Sequence, residues 1–474
     1  MSYLMHVVSL TFLILLISTN VSAHEGADQF KLPKNWKMIG TVDANNFHET
    51  LKELSHKGFD IAGVDVRAKK VDLLLSDVDF QILKGLGYQV EISSVKGVDR
   101  GPDEEYQNPS EVEAYVKNYH ARFPDITKLI SIGKSLEGRD IWALKISDNA
   151  DLNELKEPTL LFNSMHHARE VMGPEMGLDI IEYLLENYDS DNEVRAWVDS
   201  NQIWVIPMFN VDGNNKMWTE DSFWRKNTRG GYGVDLNRNY PEGWNKCNGS
   251  SGSQSSQTYR GPKPGSEPET QAMMNFIAEY RPVFDISYHS YSELVIYPYG
   301  CNGERTQTQD VVEKIGRKIA DLIDYEPGTA WELLYNADGG DIDWMYAAYQ
   351  VIPYVIELNS RWQGFHPRYS KWRDKTVKRN RDAWQYLLDR AAQSGVRGVV
   401  SQNGQNLSEY KIDVYKVSNG NAAKYQDYIG HRTGAFHLVL NPGEYKLVFS
   451  KNGNEFGSTN ITIDDKLKWV ELAF

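Results

Sequence analysis

Hydrophobic and polar positions along this chain change texture four times. An apolar run at residues 7–17 is broken only by Ser9 and Thr11, and it is too short for the roughly 20 residues that span a bilayer. Val21-Ser22-Ala23 then supplies the small residues of a cleavage site before His24, so residues 1–23 read as a secretory signal peptide. No Lys or Arg precedes the run, where such segments are ordinarily basic, and an uncleaved N-terminal anchor is the competing reading. No later stretch approaches a membrane span, so the rest of the chain is expected to be exported and soluble.

Strand and helix periods alternate over residues 35–94, with strands at 37–42, 65–67, 71–75 and 89–92 and helices at 44–57 and 77–86, a small α+β unit of about 70 residues. Residues 94–109, SVKGVDRGPDEEYQNP, lose the apolar period and have a linker's composition. Lys96 and Arg100 lie inside it, where a trypsin-like protease can cut exposed backbone. From 110 to about 392 the periods interleave again. Apolar runs at 159–162, 203–207, 283–287, 294–297 and 354–358 predict central strands, and 174–187, 267–280, 311–323 and 370–391 predict amphipathic helices. The last of these carries Lys371, Arg373, Lys375, Lys378, Arg379 and Arg381, read as a solvated face rather than an anion site. After 394, short alternating runs at 396–401, 410–417, 435–440, 444–450 and 458–463 suggest an all-β sandwich of about 80 residues.

The expected organisation is a signal peptide (1–23), an α+β unit with linker (24–105), an α/β domain with a central mixed sheet flanked by helices (106–393) and a β-sandwich (394–474). Composition excludes several classes of function. The 474 residues are 41% hydrophobic and 24% charged, as in folded globular chains. With 51 Lys plus Arg against 65 Asp plus Glu, the net charge of -14 argues against a nucleic-acid partner, which demands basic excess. Two cysteines, Cys247 and Cys301, cannot make a four-thiolate zinc site or a disulfide-dense scaffold. In an oxidising compartment they pair as one disulfide or remain two buried thiols.

Chemistry gathers at the ends of the predicted strands. In LFNSMHHARE, an apolar strand runs into His166 and His167, with Glu170 three residues beyond the second. His167 and Glu170 can chelate one divalent ion from a single turn, and a catalytic zinc site needs three protein ligands and an open position. H-x-x-E alone is weak, His166 lacks a carboxylate at that spacing, and no H-E-x-x-H occurs. His289 ends another apolar strand, where α/β sites collect functional groups, although a structural histidine is the plainer reading. Glu357 closes PYVIEL, where a buried carboxylate must be paired, neutralised or used as a base. Arg225, Asn237 and Arg238 lie in FWRKNTR and GVDLNRNY; guanidinium groups bind carboxylates bidentately or stabilise an oxyanion.

Seven motifs in order, His167-Ala168-Arg169-Glu170, Trp224-Arg225-Lys226, Asp235-Leu236-Asn237-Arg238-Asn239, His289-Ser290-Tyr291-Ser292, Tyr297-Pro298-Tyr299-Gly300, Gly339-Gly340-Asp341-Ile342-Asp343-Trp344 and Glu357-Leu358, resemble those of zinc metallocarboxypeptidases of the carboxypeptidase A type. The resemblance covers about residues 110–392. It implies one Zn²⁺ per chain on His167, Glu170 and His289, Glu357 as general base, and Arg225 as oxyanion stabiliser. It further implies that Asn237 and Arg238 hold the substrate's terminal carboxylate, Tyr335 closes over the bound residue, Asp235 orients an imidazole and Arg169 lies in an outer subsite. Ile342 is implied to line the pocket for the C-terminal side chain, with Ala330, Ile296 and Val355, favouring apolar residues; Asp341, if turned inward, would accept Lys or Arg. Residues 37–92 resemble an activation propeptide, and 396–474, with Gly434-Ala435-Phe436 and Asn441-Pro442-Gly443-Glu444-Tyr445, a transthyretin-like domain.

The resulting expectation is a secreted zymogen, cut by an activating protease, that hydrolyses the C-terminal bond of peptides or proteins. The alternatives are the same fold acting on basic C-termini or cell-wall peptides, and a non-catalytic zinc-binding protein.

Overall fold

In the computed structural model, which describes residue 33 and residues 35–474, the chain opens with four antiparallel strands: β1 (Trp36–Asp43), β2 (Asp60–Asp65), β3 (Lys70–Leu75) and β4 (Val90–Gly97), in the order β2-β3-β1-β4. Helices α1 (Phe47–His56) and α2 (Asp77–Gly85) connect them. Ser76 and Asp79 cap α2 reciprocally, each side chain taking the other's backbone N–H. The expected signal peptide lies outside the described residues. Two expectations are corrected here. The strand placed at 65–67 is β2, ending at Asp65, because 66–69 form the turn into β3. The linker begins later than its composition suggests, since β4 runs through Gly97 and places Lys96 in the ladder opposite Lys37. Lys96 is no loop residue; its Nζ donates to Gly101 O at 2.8 Å. A polar edge strand and a linker look alike in sequence. The segment that follows is pinned at Tyr106, which is buried and donates to Pro367 O at 2.9 Å.

The central domain is an eight-stranded mixed sheet. Its strands are β5 (Thr127–Lys134), β6 (Asp140–Ile146), β7 (Thr159–Ser164), β8 (Gln202–Ile206), β9 (Phe284–Ser290), β10 (Leu294–Ile296), β11 (Glu326–Gly328) and β12 (Ile352–Leu358), in the order β11-β10-β12-β9-β7-β8-β6-β5. Strands β12, β9, β7 and β8 are parallel and buried along nearly their whole length, as strands covered on both faces must be. The five apolar runs account for these four strands and β10. Edge strands β5 and β11 and the penultimate strand β6 mix polar with apolar positions and were not anticipated.

Helices α3 (Pro109–Arg122), α4 (Met172–Asn187), α5 (Asn192–Ser200), α6 (Val211–Thr219), α7 (Pro268–Tyr280), α8 (Gln309–Ile323), α9 (Ala330–Leu333), α10 (Asp341–Tyr349) and α11 (Tyr369–Ala391) surround the sheet. Only α4, α7, α8 and α11 were expected. Asn108, Pro109 and Glu111 form a full capping box at α3. Trp384 of α11 is buried edge-on against Phe162 of β7, Tyr183 and Trp197, joining helices to sheet. Cys247 and Cys301 are disulfide-bonded, with Cα atoms 5.8 Å apart.

The last segment is a two-sheet sandwich: β13 (Gly395–Gln402), β14 (Gln405–Asn406), β15 (Lys411–Ser418), β16 (Asn421–Ile429), β17 (Ala435–Val439), β18 (Gly443–Lys451), β19 (Asn454–Ile463) and β20 (Leu467–Ala473). Val396, Val400, Ile412, Val414, Phe436, Leu438, Leu447 and Phe449 fill its core. Strands β16 and β20 mix polar with apolar residues and escaped the sequence reading. The outer edge of β16 abuts the central domain: Asp427 N donates to Gln307 Oε1 at 2.9 Å, and Ile429 N to Gln350 Oε1 at 3.2 Å. Among the described residues, no helix is long and apolar enough to cross a membrane.

Replacing Trp384 by Ala removes a buried aromatic at the helix–sheet junction. Unfolding of the full chain in denaturant is expected to lose about 3–5 kcal/mol, read from the midpoint at constant slope.

Candidate active site

Parallel strands end together, so the residues at their carboxyl ends share one rim. Strand β7 ends at Ser164; Met165 takes a left-handed conformation (φ 66°), and the turn after it brings in His167 and then Glu170, whose N–H donates to His167 O. Register places His289 of β9 directly beside Glu357 of β12. Nδ1 of His167 lies 2.7 Å from Glu170 Oε1, Nδ1 of His289 lies 3.1 Å from Glu170 Oε2, and the two Nδ1 atoms are 3.1 Å apart. Zinc–ligand bonds of 2.0–2.2 Å at tetrahedral angles separate ligands by about 3.4 Å, so the three donors already converge on one centre.

The carboxylate of Glu170 favours positive charge on its neighbours. Burial disfavours the charged form of His289, yet Glu170 outweighs it and holds the imidazole up at about 9. Burial would raise the Glu170 carboxyl, but the two histidines hold it far below the usual range. Two imidazoles and a carboxylate aimed at one point fit a single Zn²⁺. Burial raises Glu357 to about 7 against the opposing pull of His289, leaving a carboxyl poised to exchange a proton near neutral pH.

Asp235 organises the neighbouring groups. Its Oδ1 lies 3.2 Å from Nε2 of His167, and its Oδ2 accepts from Arg225 Nη2 at 3.0 Å. Arg225 Nη1 is 3.9 Å from Glu170 Oε1. The Asp235 carboxylate also accepts from the Asn237 N–H at 3.0 Å, which holds the turn presenting Asn237 and Arg238. Asn237 Oδ1 accepts from Asp341 N at 2.9 Å, and Arg238 Nε donates to Gly249 O at 3.1 Å. Gly339 is required where this turn meets the start of α10. Its φ is +68°, and a Cβ there would sit 2.5 Å from Arg238 O.

These groups line one cavity with Tyr335, Ile296, Ala330, Val355 and Ile342. Asp341 is buried, its Oδ1 accepting from Ile342 N at 2.8 Å and its Oδ2 3.6 Å from His166 Nε2. Asp343 accepts from Gly300 N, and burial raises it to about 7. His166 faces Tyr240 Oη at 3.0 Å; burial lowers it to about 4, leaving a neutral ring beside His289.

Ile61, Ala62 and Gly63 of β2 close the same cavity. Arg169 is fully buried and grips Asp60 bidentately, at 2.7 and 2.8 Å. The outer-subsite residue of the sequence reading is thus occupied by the N-terminal unit. Val64 N donates to Ser292 Oγ at 2.8 Å, and Arg361 Nη2 pairs with Asp72 at 2.9 Å. Gly63 lies against Tyr291, whose ring would be 2.4 Å from a Cβ; only glycine lets the strand approach so closely. Asp60, Gly63 and Asp72 carry no motif and were missed, since their roles exist only across the contact.

A nitrogen–oxygen donor set fit for one metal ion with an adjacent half-buried carboxyl, on the carboxyl ends of a mixed sheet, defines a metallohydrolase class. The sequence pattern of the family described as "Zinc carboxypeptidase" matches residues 112–383, over half of the chain, and the chain belongs to that family. It is similar to carboxypeptidase B of Bos taurus, 28% identical over 392 residues that cover 74% of this chain and 91% of the relative. Carboxypeptidase D of Mus musculus is 27% identical over 381 residues, 74% of this chain. The match covers only 26% of that relative's own length. In fold, the chain resembles the crystal structure of the carboxypeptidase A from Helicoverpa armigera, with a TM-score of 0.65 and 24% identity, covering 76% of this chain and 98% of that one.

Asp60→Ala leaves a buried guanidinium unpaired, a cost of about 3–5 kcal/mol, and limited proteolysis should find the N-terminal unit released more readily than in the parent. The pH dependence follows from Asp60. Burial raises its carboxyl, but Arg169 and then Arg225 and Lys37 bring the net below the ordinary value of 3.8. A depressed carboxylate contributes fully above its unfolded pKa and loses that contribution as pH falls through the folded one. Protease resistance of the unit is therefore expected to hold above about pH 4–5 and to fade below; resistance that is flat with pH would exclude the pair as its source.

Proposed function

We propose that the chain is a secreted zinc carboxypeptidase, made as a zymogen, that removes apolar or aromatic residues from the C-termini of peptides or proteins. The observation that carries this reading is the convergence in one cavity of His167, Glu170, His289 and Glu357 with the Arg225, Asn237 and Arg238 cluster. An exopeptidase must recognise a free carboxylate, and a guanidinium beside an amide provides a charge-assisted clamp.

His167, Glu170 and His289 would hold the zinc. When bound, the ion supplies Lewis acidity to the scissile carbonyl and lowers the pKa of its water. Glu357 takes a proton from the attacking water and returns it to the leaving amine. Arg225, fixed by Asp235, faces negative charge developing on the carbonyl oxygen. Asn237 and Arg238 bind the terminal carboxylate, and Tyr335 covers the bound residue. No covalent intermediate is required.

The pocket walls support an apolar preference. Ile342, Ile296, Ala330 and Val355 are hydrocarbon, and each nearby carboxyl accepts from a backbone amide, Asp341 Oδ1 from Ile342 and Asp343 from Gly300, while Asp341 Oδ2 is buried without a hydrogen-bond partner. Strand β2 across the cavity supports the zymogen reading, with the segment after Gly97, including Arg100, as the region to be cut.

The test is hydrolysis of blocked dipeptides ending in Phe, Leu, Arg or Lys, before and after limited trypsin treatment, with and without a chelator. Chelator-sensitive release of Phe and Leu, appearing after the cut, is expected, with apolar over basic preference of roughly 10–200-fold. Preference for Arg or Lys would place a carboxylate in the pocket, and no hydrolysis under any condition would favour a non-catalytic zinc protein. Glu357→Gln is expected to keep its zinc and lose roughly 10²–10⁴-fold in kcat; a variant as active as the parent would remove Glu357 from the mechanism.

A further inference from the structure

The two histidines that face the metal position are supported differently. Behind His167 stands a carboxylate, Asp235, in direct contact. Among the described residues no carboxylate hydrogen-bonds to Nε2 of His289, although an Asp341 oxygen lies within 4.8 Å of one of its ring nitrogens. Nε2 of His289 instead lies 3.3 Å from Ser287 Oγ. Ser287 Oγ is 3.2 Å from Asn163 Oδ1, and Asn163 Nδ2 donates to Asp285 Oδ1 at 2.8 Å.

This arrangement follows from strand geometry. Side chains two apart on a strand point to one face, so Asp285, Ser287 and His289 form a polar stripe on β9, while Phe284, Ile286 and Tyr288 enter the core on the other face. Asn163 of β7 is the register partner of Ser287. All four residues are buried, and burying such a row on a central strand is costly unless its members satisfy one another.

We propose that Ser287, backed by Asn163 and Asp285, is a positioning residue for the metal-binding ring of His289. The inference rests on His167, Glu170 and His289 being the zinc ligands. A ring that binds metal through Nδ1 carries its proton on Nε2. That proton is donated to Ser287 Oγ, the Ser287 hydroxyl donates to Asn163 Oδ1, and the Asn163 amide donates to Asp285, so every bond runs the same way. A metal-bound imidazole needs such an acceptor to fix its tautomer and orientation. The other neighbour of Ser287 is His166 Nδ1, at the longer distance of 3.4 Å.

The experiment measures zinc affinity of the full chain by competition with a chromogenic chelator, alongside thermal unfolding of the metal-free protein. Ser287→Ala is expected to weaken zinc by about 10–100-fold while the metal-free protein melts close to the parent. Ser287→Thr, which keeps the hydroxyl, is expected to stay within about threefold, an outcome a merely space-filling role for Ser287 would not produce. Asn163→Ala, one step further from the metal, is expected to lose less than Ser287→Ala in the same direction, and it keeps the test alive should Ser287→Ala fail to fold. Parent-like zinc affinity in Ser287→Ala, or in Asn163→Ala if only that variant folds, would overturn the proposal while leaving the ligand assignment intact. A His167→Ala variant that binds zinc as tightly as the parent would instead overturn the ligand assignment on which it rests.

Discussion

The register of three parallel strands is the constraint on which the site depends. His289 and Glu357 are adjacent because β9 and β12 pair as they do, and the turn carrying His167 and Glu170 starts where β7 stops, one strand away. A one-residue slip in β9 would turn His289 into the hydrophobic layer and bring Tyr288 to the rim. The apolar residues on the buried face of each strand therefore fix the position of the charged ones, and the large cluster of Phe284, Ile286, Tyr288, Tyr354 and Ile356 sets the site's geometry as firmly as any polar contact. Most of the charged groups in turn are tolerable at this rim because they are held by another of opposite sign or by an amide, as Glu170 is by the two histidines and Asp235 by Arg225.

How much of this was legible in the sequence depended on the source of the signal. Central strands are apolar throughout, so their runs stand out, and the groups closing them, His289 and Glu357, are conspicuous because such residues are rare at the end of a buried strand. Strands β5, β6, β16 and β20 and helices such as α3 and α10 mix polar with apolar positions and merge into the surrounding texture. Lys96 shows the cost of reading composition alone: a polar edge strand was mistaken for a linker. The contacts of Asp60, Gly63 and Asp72 had no local signature, because their meaning comes from residues more than a hundred positions away in the chain. The stripe of Asp285, Ser287 and His289 lay in plain view as a period-2 polar row inside an apolar run, but its partner Asn163 is revealed only by the pairing of β7 with β9.

The N-terminal unit meets the cavity by a mixture of forces. A bidentate ion pair at Arg169 and a second pair at Arg361 fix its position, while Ala62 and Leu74 pack with Tyr291 and Phe365. The hydrocarbon part supplies area without direction, and the charged part supplies direction, since a guanidinium fork accepts a carboxylate in few orientations. Strand β2 is an edge strand of its own sheet, so its free side is available to lie across the rim without breaking a ladder.

The edge of β16 has a different fate. Two glutamine side chains of the central domain take its Asp427 and Ile429 N–H groups, as backbone carbonyls of another strand would. An exposed edge is ordinarily a template on which foreign strands can grow. With these two donors engaged, this part of the edge is closed to such growth, and the central domain serves the sandwich as a cap made of side chains.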